Sequence, residues 1–450
     1  MISIQEKKPV DEPLVKGKKP PRMVVAPTTN IIGTVLRVAK KYPEMAEMRS
    51  PLFDFYLVSD PDLIQEVLVT QHKNFVKGDF LQRTKKVFGE GLLTSESDFH
   101  HRQRRLVQPA FSHTRIAGYA DVITAYTDRV LGDWKDGQIL DLHAEMTRLT
   151  MTIIGKCLFN EDVEEQSGTL SQSLTDIIEY FNRLSSPFAW LLEKLPSNRK
   201  YLRAVERVDK MVYGMIEDRK KTGSDPGDLL SMLLSARDLD GGAMSDRQIR
   251  DEALILFAAG HETTANALSW TWYLVSTHPE VEKKIHEEVD SVLDKGNPPA
   301  FADVPRLPYL TNVLTEGMRL YPPAWILTWQ AVRDCTIGDY IVPAETDVLM
   351  SQYVLHHDER FFKNPERFDP DRWTREMRAK LPRFAYFPFG GGPRSCVGEP
   401  FAWMEGELII ARMAQKWNLT LAQKDKVEML PRITLRAKNG IKMKVTKRIP

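Results

Sequence analysis

Cys396 is the residue with the most chemistry gathered around it. It closes the run Phe389-Gly-Gly-Gly-Pro-Arg-Ser-Cys-Val-Gly398. Three consecutive glycines and a proline exclude a helix or an ordinary strand. They make a tight loop whose backbone amides converge, and Glu399–Lys416 then reads as a helix. A thiol at a helix N-terminus faces the positive end of the dipole, which favours thiolate. A thiolate among N–H donors, beside Phe389, suits an anionic metal ligand. A free cysteine is more often a small buried hydrophobe, and Cys396 alone would be read that way. The glycine loop and Arg394 shift the balance toward a ligand.

A second group is Ala259-Gly-His-Glu-Thr-Thr264. Gly260 weakens a helix interior, and the hydroxyls of Thr263 and Thr264 can bond back to carbonyls one turn earlier. A carboxylate beside a hydroxyl in a loosened helix suits proton relay to a small ligand. The alternative is a solvated polar face, but Leu254, Ile255, Leu256, Phe257 and Leu268 argue for burial. Glu316 and Arg319 share a helix face at i,i+3, a weak signal alone. Asn364-Pro-Glu-Arg-Phe368 is a charged turn. His100–Arg115 holds Arg102, Arg104, Arg105 and Arg115 and no acid. It reads equally well as an anion site and as a solvated basic face.

The elements that must position these groups are mostly helices. Ser245-Asp-Arg-Gln248 is a capping box that opens a helix running to His278-Pro279, long enough to span a domain. Helical spacing also marks 99–133, Met151–Phe159, Leu170–Leu195, Glu280–Leu293 and Tyr309–Leu320. Asp54–Asp60 reads as a strand leading into a helix from Pro61, and 74–98 as a long loop with partial helix. Short strands are expected at Thr336–Val342 and Thr346–Ser351. A hairpin is expected about Asn439-Gly440, flanked by Ile433–Arg436 and Ile441–Val445. The fold class is mainly α with minor β-sheets near the two ends, built around one long central helix. Residues 1–25 read as an irregular, Pro-rich lead-in and 26–450 as a single domain.

Composition excludes other classes. The 62 basic and 61 acidic residues of this 450-residue chain leave +1, with no global field for nucleic acid. At 42% hydrophobic the chain is no disordered polymer. Three widely spaced cysteines, with no CxxC pair, argue against a disulfide framework and fit a reducing compartment. No signal-peptide core and no apolar run of transmembrane length is present. A soluble, cytoplasmic monomer is expected.

Taken together the motifs resemble the cytochrome P450 family. The resemblance rests on Phe389-x-x-Gly392-x-Arg394-x-Cys396-x-Gly398, on Ala259-Gly260-x-Glu262-Thr263-Thr264, on Glu316-x-x-Arg319, and on Pro365-Glu366-Arg367-Phe368. It covers about residues 20–450. It implies haem b, with Cys396 as the axial iron ligand and Phe389 and Gly390 in the cofactor loop. It implies Glu262 and Thr263 as an acid–alcohol pair for proton delivery, with Gly260 leaving room for dioxygen. His100, Arg104 and Arg394 would meet the haem propionates, and Glu316, Arg319 and Arg367 would form a structural triad. One position departs. Trp329 stands where many members carry an arginine for a propionate, and it cannot neutralise a carboxylate. The charge is expected to be met by His100, Arg104 and Arg394, or by Arg333 swinging in.

The resemblance further implies insertion of one atom of dioxygen into a lipophilic substrate, by hydroxylation or epoxidation. A fatty acid, terpenoid or similar compound fits. Pocket candidates are Phe88, Phe257, Ala258, Trp325 and Leu327, with further candidates in the stretches 75–93 and 181–192. Electrons from NAD(P)H would arrive through a separate ferredoxin or flavodoxin and its reductase. The partner is expected at Lys363–Arg383, with seven basic and four acidic residues, together with Arg102 and Arg105. A peroxide-driven peroxygenase and a non-catalytic haem-thiolate sensor are the alternatives within haem chemistry, and the Glu262–Thr263 pair argues against both. A cysteine-nucleophile hydrolase is the alternative outside it, with no supporting signature.

Overall fold

The computed structural model describes residues 16–26, 30–51, 53–160, 173, 176–177, 180, 198–294 and 296–448. The helix expected at Leu170–Leu195 and the pocket stretch 181–192 lie almost wholly outside these residues.

Among the described residues nine long helices carry the architecture. They are α1 (Ile31–Lys41), α2 (Ser97–Val107), α3 (His113–Gly132), α4 (Leu142–Phe159), α5 (Asn198–Thr222), α6 (Asp246–Ser276), α7 (Pro279–Val292), α8 (Pro308–Leu320) and α9 (Glu399–Lys416). The capping box forms as expected: the Gln248 N–H donates to Ser245 Oγ at 3.3 Å, and the Ser245 N–H to Gln248 Oε1 at 2.8 Å. From there α6 runs unbroken for 31 residues, about 46 Å at 1.5 Å per residue. It is buried nearly all round because it packs against α4, α5, α8 and α9 at once. Pro279 at the first turn of α7 ends the run and starts the next helix.

The largest sheet has the order β1-β2-β3-β9-β6-β4. Its strands are β1 (Arg22–Val24), β2 (Met45–Ser50), β3 (Phe53–Val58), β4 (Phe75–Lys77), β6 (Leu327–Ala331) and β9 (Asp347–Met350). A second sheet joins β10 (Trp417–Leu421), β13 (Lys442–Lys447) and β5 (Ile139–Asp141). β7 (Cys335–Ile337) pairs with β8 (Tyr340–Val342), and β11 (Met429–Pro431) with β12 (Leu435–Ala437). One large core fills the helical body, and a separate core, including Val38, Met48, Leu57 and Val348, lies under the large sheet.

Three expectations need correction. Residues 22–24, within the segment expected to be irregular, form β1 in parallel with β2. The stretch 74–98 contains β4, which pairs with β6 and so ties this segment into the sheet. The residues about Asn439-Gly440 form no hairpin: β12 pairs with β11, whereas β13 pairs with β10 and β5. Gly440 does adopt φ +72°, and a Cβ there would lie 2.1 Å from Asp141 Oδ2. The turn residues are therefore right, but they connect two sheets instead of two neighbouring strands. Alternation of side chains specifies a face and carries no information about the partner.

Candidate active site

A cavity of about 810 Å³ opens between the two cores. One wall is the Cys396 loop. Gly390 and Gly392 sit at φ +70° and +66°, which L side chains rarely adopt. A Cβ on Gly392 would meet the Leu68 carbonyl oxygen at 1.9 Å, so only glycine lets the loop pass under Leu68. The Cys396 N–H donates to the Phe389 carbonyl at 3.0 Å, and the Phe389 ring packs on Trp403 with centroids 5.7 Å apart. These contacts leave Cys396 facing the open cavity, three residues before α9. Burial pushes its thiol up; the N–H groups of Gly398 and Glu399 and the charge of Arg104 pull the other way without prevailing. The helix N-terminus therefore reaches the sulfur through the Gly398 and Glu399 N–H groups, which oppose the effect of burial without offsetting it.

The facing wall is α6. Ile255, Leu256, Ala259, Gly260, Thr263 and Thr264 line the cavity, at helical spacing along one stripe. Thr263 Oγ1 donates to the Ala259 carbonyl at 2.8 Å, and Thr264 Oγ1 to the Gly260 carbonyl at 3.2 Å. The helix stays α-helical throughout despite this back-bonding. Gly260 has a packing reason as well: a Cβ there would meet Ile154 Cδ1 of α4 at 2.9 Å.

Glu262 lies off this stripe and does not line the cavity. Its Oε1 accepts hydrogen bonds from Thr434 Oγ1 and, at 2.5 Å, from Arg436 Nε. Burial works to raise this carboxyl, but Arg436 and Thr434 outweigh it and hold the group below the usual carboxylate range. Glu262 is therefore an ionised, clamped carboxylate. Thr434 and Arg436 lie 172 and 174 residues away in the chain. No local signal announces them.

The pocket candidates divide. Trp325 and Leu327 line the cavity. Phe88, Phe257 and Ala258 do not. Phe257 turns to Phe159 with centroids 6.0 Å apart, Ala258 sits between stripes of α6, and Phe88 is buried in the helical core. Burial of an apolar side chain was a fair expectation, but it does not say which cavity or core the side chain enters.

At one end the cavity turns basic. His100, Arg104 and Arg394, the residues expected at the propionates, all line it, and so does Lys77, which was not anticipated. Arg394 pairs with Glu96 and donates to the Ser95 carbonyl at 2.5 Å. Arg104 donates to the Ser395 carbonyl at 2.6 Å and to Ser395 Oγ at 3.2 Å. Burial, then the charges of Arg394 and Lys77, push His100 down to about 3, so its imidazole is neutral. Its buried Nδ1 has no hydrogen-bond partner among the described residues. Arg333 is excluded: it is exposed and donates to Asn74 Oδ1 at 2.6 and 2.9 Å.

Behind this wall Glu316 and Arg319 form a fully buried, bidentate pair at 2.8 and 2.9 Å. The third member differs from expectation. Arg367 contributes only its carbonyl, to Arg319 Nη2 at 3.1 Å, and its side chain is exposed. Arg372 Nε reaches Glu316 Oε1 at 2.9 Å, and Trp373 Nε1 reaches Oε2 at 2.8 Å. Pro365-Glu-Arg-Phe368 and Pro370-Asp-Arg-Trp373 are near-repeats five residues apart, and the second one makes the contact.

These residues fit a flat, iron-bearing macrocycle with acidic side chains. A sulfur lies on one wall, a helix stripe of small residues faces it, and cations with an unpartnered imidazole nitrogen close one end. The cytochrome P450 family profile matches residues 24–445. Cyclooctatin synthase of Streptomyces melanosporofaciens is 38% identical over 399 residues, 88% of this chain and 87% of that one. Pentalenene oxygenase of Streptomyces avermitilis is 32% identical over 398 residues, 88% of each chain. The crystal structure of the cytochrome P450DA haem domain superposes with a TM-score of 0.87 at 26% identity, covering 97% of this chain and 99% of that one. Among the described residues no helix is long and apolar enough to cross a membrane. With a family match over most of its length and relatives of this identity and coverage, the chain belongs to the cytochrome P450 family of haem monooxygenases.

Proposed function

We propose that this monooxygenase inserts one oxygen atom into a C–H or C=C bond of a cyclic, terpenoid-type hydrocarbon. The observation that carries this is the division of the cavity. Four of its basic groups, Lys77, His100, Arg104 and Arg394, cluster together; Arg432 lines the cavity elsewhere, with its carbonyl accepting from Trp325 Nε1 at 2.8 Å, and the rest of the wall includes Ile255, Leu256, Trp325, Ile326 and Leu327. An apolar chamber with few polar groups favours a lipophilic substrate. Two relatives are named for an alkene, pentalenene, and an unsaturated alcohol, cyclooctat-9-en-7-ol, which supports a cyclic olefin over a fatty acid.

When bound, haem supplies reductive activation of dioxygen, with a thiolate ligand favouring O–O cleavage. Cys396 would hold the iron, and Phe389 and Gly390 shape the loop around its sulfur. In hydroxylation one oxygen atom enters the substrate. The other leaves as water, taking up two protons and two electrons. Thr263 presents its hydroxyl to the cavity and positions the incoming proton. Glu262 brings that proton from solvent: it must first leave Arg436, because it is ionised where it stands. The electrons come from NAD(P)H through a separate ferredoxin or flavodoxin. Of the cations expected to dock it, Arg102 is tied to Asp238 at 2.6 Å and Arg372 is committed to Glu316. Arg105, Lys363, Arg375 and Arg383 remain exposed for an acidic partner.

The test is spectroscopic. Haem-loaded protein should show the red-shifted band of the reduced CO complex, and Cys396→Ala should abolish it. Cyclic olefins should shift the spin state of the resting iron at lower concentration than fatty acids of equal carbon number; the reverse ranking would overturn the substrate assignment.

A further inference from the structure

Arg115, the last cation of the basic stretch that begins at His100, does not line the haem cavity. It lines a second cavity, of about 380 Å³, between α3, the end of α4 and the loop before the short helix Leu229–Ser235. That volume lies within the range of small-molecule sites, about 300–1,000 Å³. The wall passes from exposed residues, Thr114, Arg115 and Pro226, to buried ones, Cys157 and Asp228, so the cavity opens to solvent on one side.

The acceptors of this wall are committed, and its donors are not. Asp228 Oδ2 accepts from Arg219 Nη2 at 2.8 Å, and Oδ1 from the Ser231 N–H at 2.9 Å. Arg115 donates through Nη1 to the Gly227 carbonyl at 3.1 Å, and Lys156 Nζ to the Asn160 carbonyl at 3.2 Å. Neither cation forms an ion pair among the described residues, and each keeps further N–H groups to donate.

Between them lies an orphaned phenol. The Tyr119 hydroxyl is buried and has no hydrogen-bond partner among the described residues. Burial pushes it up to about 12, so it keeps its proton. The charges that act on it, those of Cys157, Arg115 and Asp228, all belong to the wall of this cavity. Its ring packs edge to face on Phe401 with centroids 5.8 Å apart, which holds the hydroxyl in position. A buried donor left unpaired is costly, so an acceptor is missing here.

Gly118 adds a steric observation. It lines the same cavity from within α3, where glycine is destabilising relative to alanine. No neighbour requires it: a Cβ there would meet nothing within 4 Å. The absent side chain widens the cavity.

We propose that this cavity is a second ligand site, separate from the oxidation chamber, that takes a small organic carboxylate. The carboxylate meets Arg115, Lys156 and the Tyr119 hydroxyl, and the apolar body lies against Val122, Cys157 and Pro226. Arg115 suits this role because a guanidinium can grip a carboxylate with two parallel N–H groups. The site goes beyond the oxidation reading and does not depend on which substrate is oxidised.

The experiment is calorimetric titration of the haem-loaded full chain with naphthoate, with its methyl ester and with inorganic phosphate. Phenylimidazole bound at the iron fills the oxidation chamber throughout. Naphthoate should bind at one site per chain, and the uncharged ester about 10- to 100-fold more weakly, the range expected for a charge-assisted hydrogen bond. Arg115→Gln should weaken naphthoate by about 10-fold or more, and Tyr119→Phe by a few-fold. Gly118→Leu should abolish binding by filling the cavity. Each variant should keep the reduced CO band of the parent, because none of these residues lines the haem cavity. Equal affinity for acid and ester would overturn the proposal, as would phosphate binding as tightly as naphthoate, which would remove the apolar body. Failure of naphthoate to bind at millimolar concentration would overturn it too. So would unchanged affinity in Arg115→Gln and Gly118→Leu, which would place the acid elsewhere. If Gly118→Leu does not fold, Arg115→Gln and Lys156→Gln decide: both must weaken naphthoate and leave the ester unaffected.

Discussion

Glu316 and Glu262 are both buried carboxylates paired with arginine, and they are held in opposite ways. Glu316 is caged on both oxygens. Arg319 Nη2, Arg372 Nε and the Asp369 N–H reach Oε1, while Arg319 Nε and Trp373 Nε1 reach Oε2. Arg319, like Glu316, is 0% exposed. Thr434 and Arg436 instead reach Glu262 through one oxygen, Oε1, and Arg436 is 26% exposed. A carboxylate caged on both sides has nowhere to turn. One clamped through a single oxygen, beside a half-open arginine, can be released by breaking two contacts. The first arrangement builds structure, and the second suits a group that must move to work.

Removing one partner of a fully buried pair leaves an uncompensated charge and costs about 3–5 kcal/mol. Glu316→Gln should therefore destabilise the holoprotein by about that amount in denaturant unfolding, or prevent its accumulation. Glu262→Gln should leave a folded, haem-loaded protein and lower coupled product formation by on the order of 10²-fold, with a changed solvent isotope effect. Equal destabilisation by the two substitutions would erase the contrast between them. A smaller effect separates Arg372 from Arg367: truncating Arg372 to Ala should lower the unfolding midpoint clearly, while Arg367→Ala should leave it nearly unchanged. The reverse order would return the triad to the first of the two near-repeats. The smallest effect is on pH. The Glu262 carboxyl is depressed in the folded state, so its stabilising contribution is present above the usual carboxylate range near pH ~4.3 and is lost as pH falls through the lower folded value. The stability gap between the parent and Glu262→Gln should narrow on acidification below about pH 4; a gap that widens would contradict the clamp.

Much of the site was legible in the chain because its determinants are local. The Cys396 loop, the Ser245–Gln248 capping box and the Glu316–Arg319 pair each work within about ten residues, so composition and spacing are enough to find them. The errors have a common form. Pro365–Phe368 and Pro370–Trp373 are equally good motifs, and only the fold says which arginine reaches Glu316. Ile433–Val445 alternates about a good turn, yet its halves join different sheets. Phe257 and Ala258 are a residue or two from wall-lining positions on α6 and face elsewhere.

The sequence by itself determined the mainly helical class, the position of the thiol, the small-residue stripe of α6 and the fact that position 329 carries no charge. Tertiary structure alone brought Arg436 onto Glu262 and Arg372 onto Glu316, across 174 and 56 residues of chain. The physical reason is that a charge is answered by whatever lies within a few ångströms, and register and packing bring such neighbours together without leaving a mark in the residues nearby.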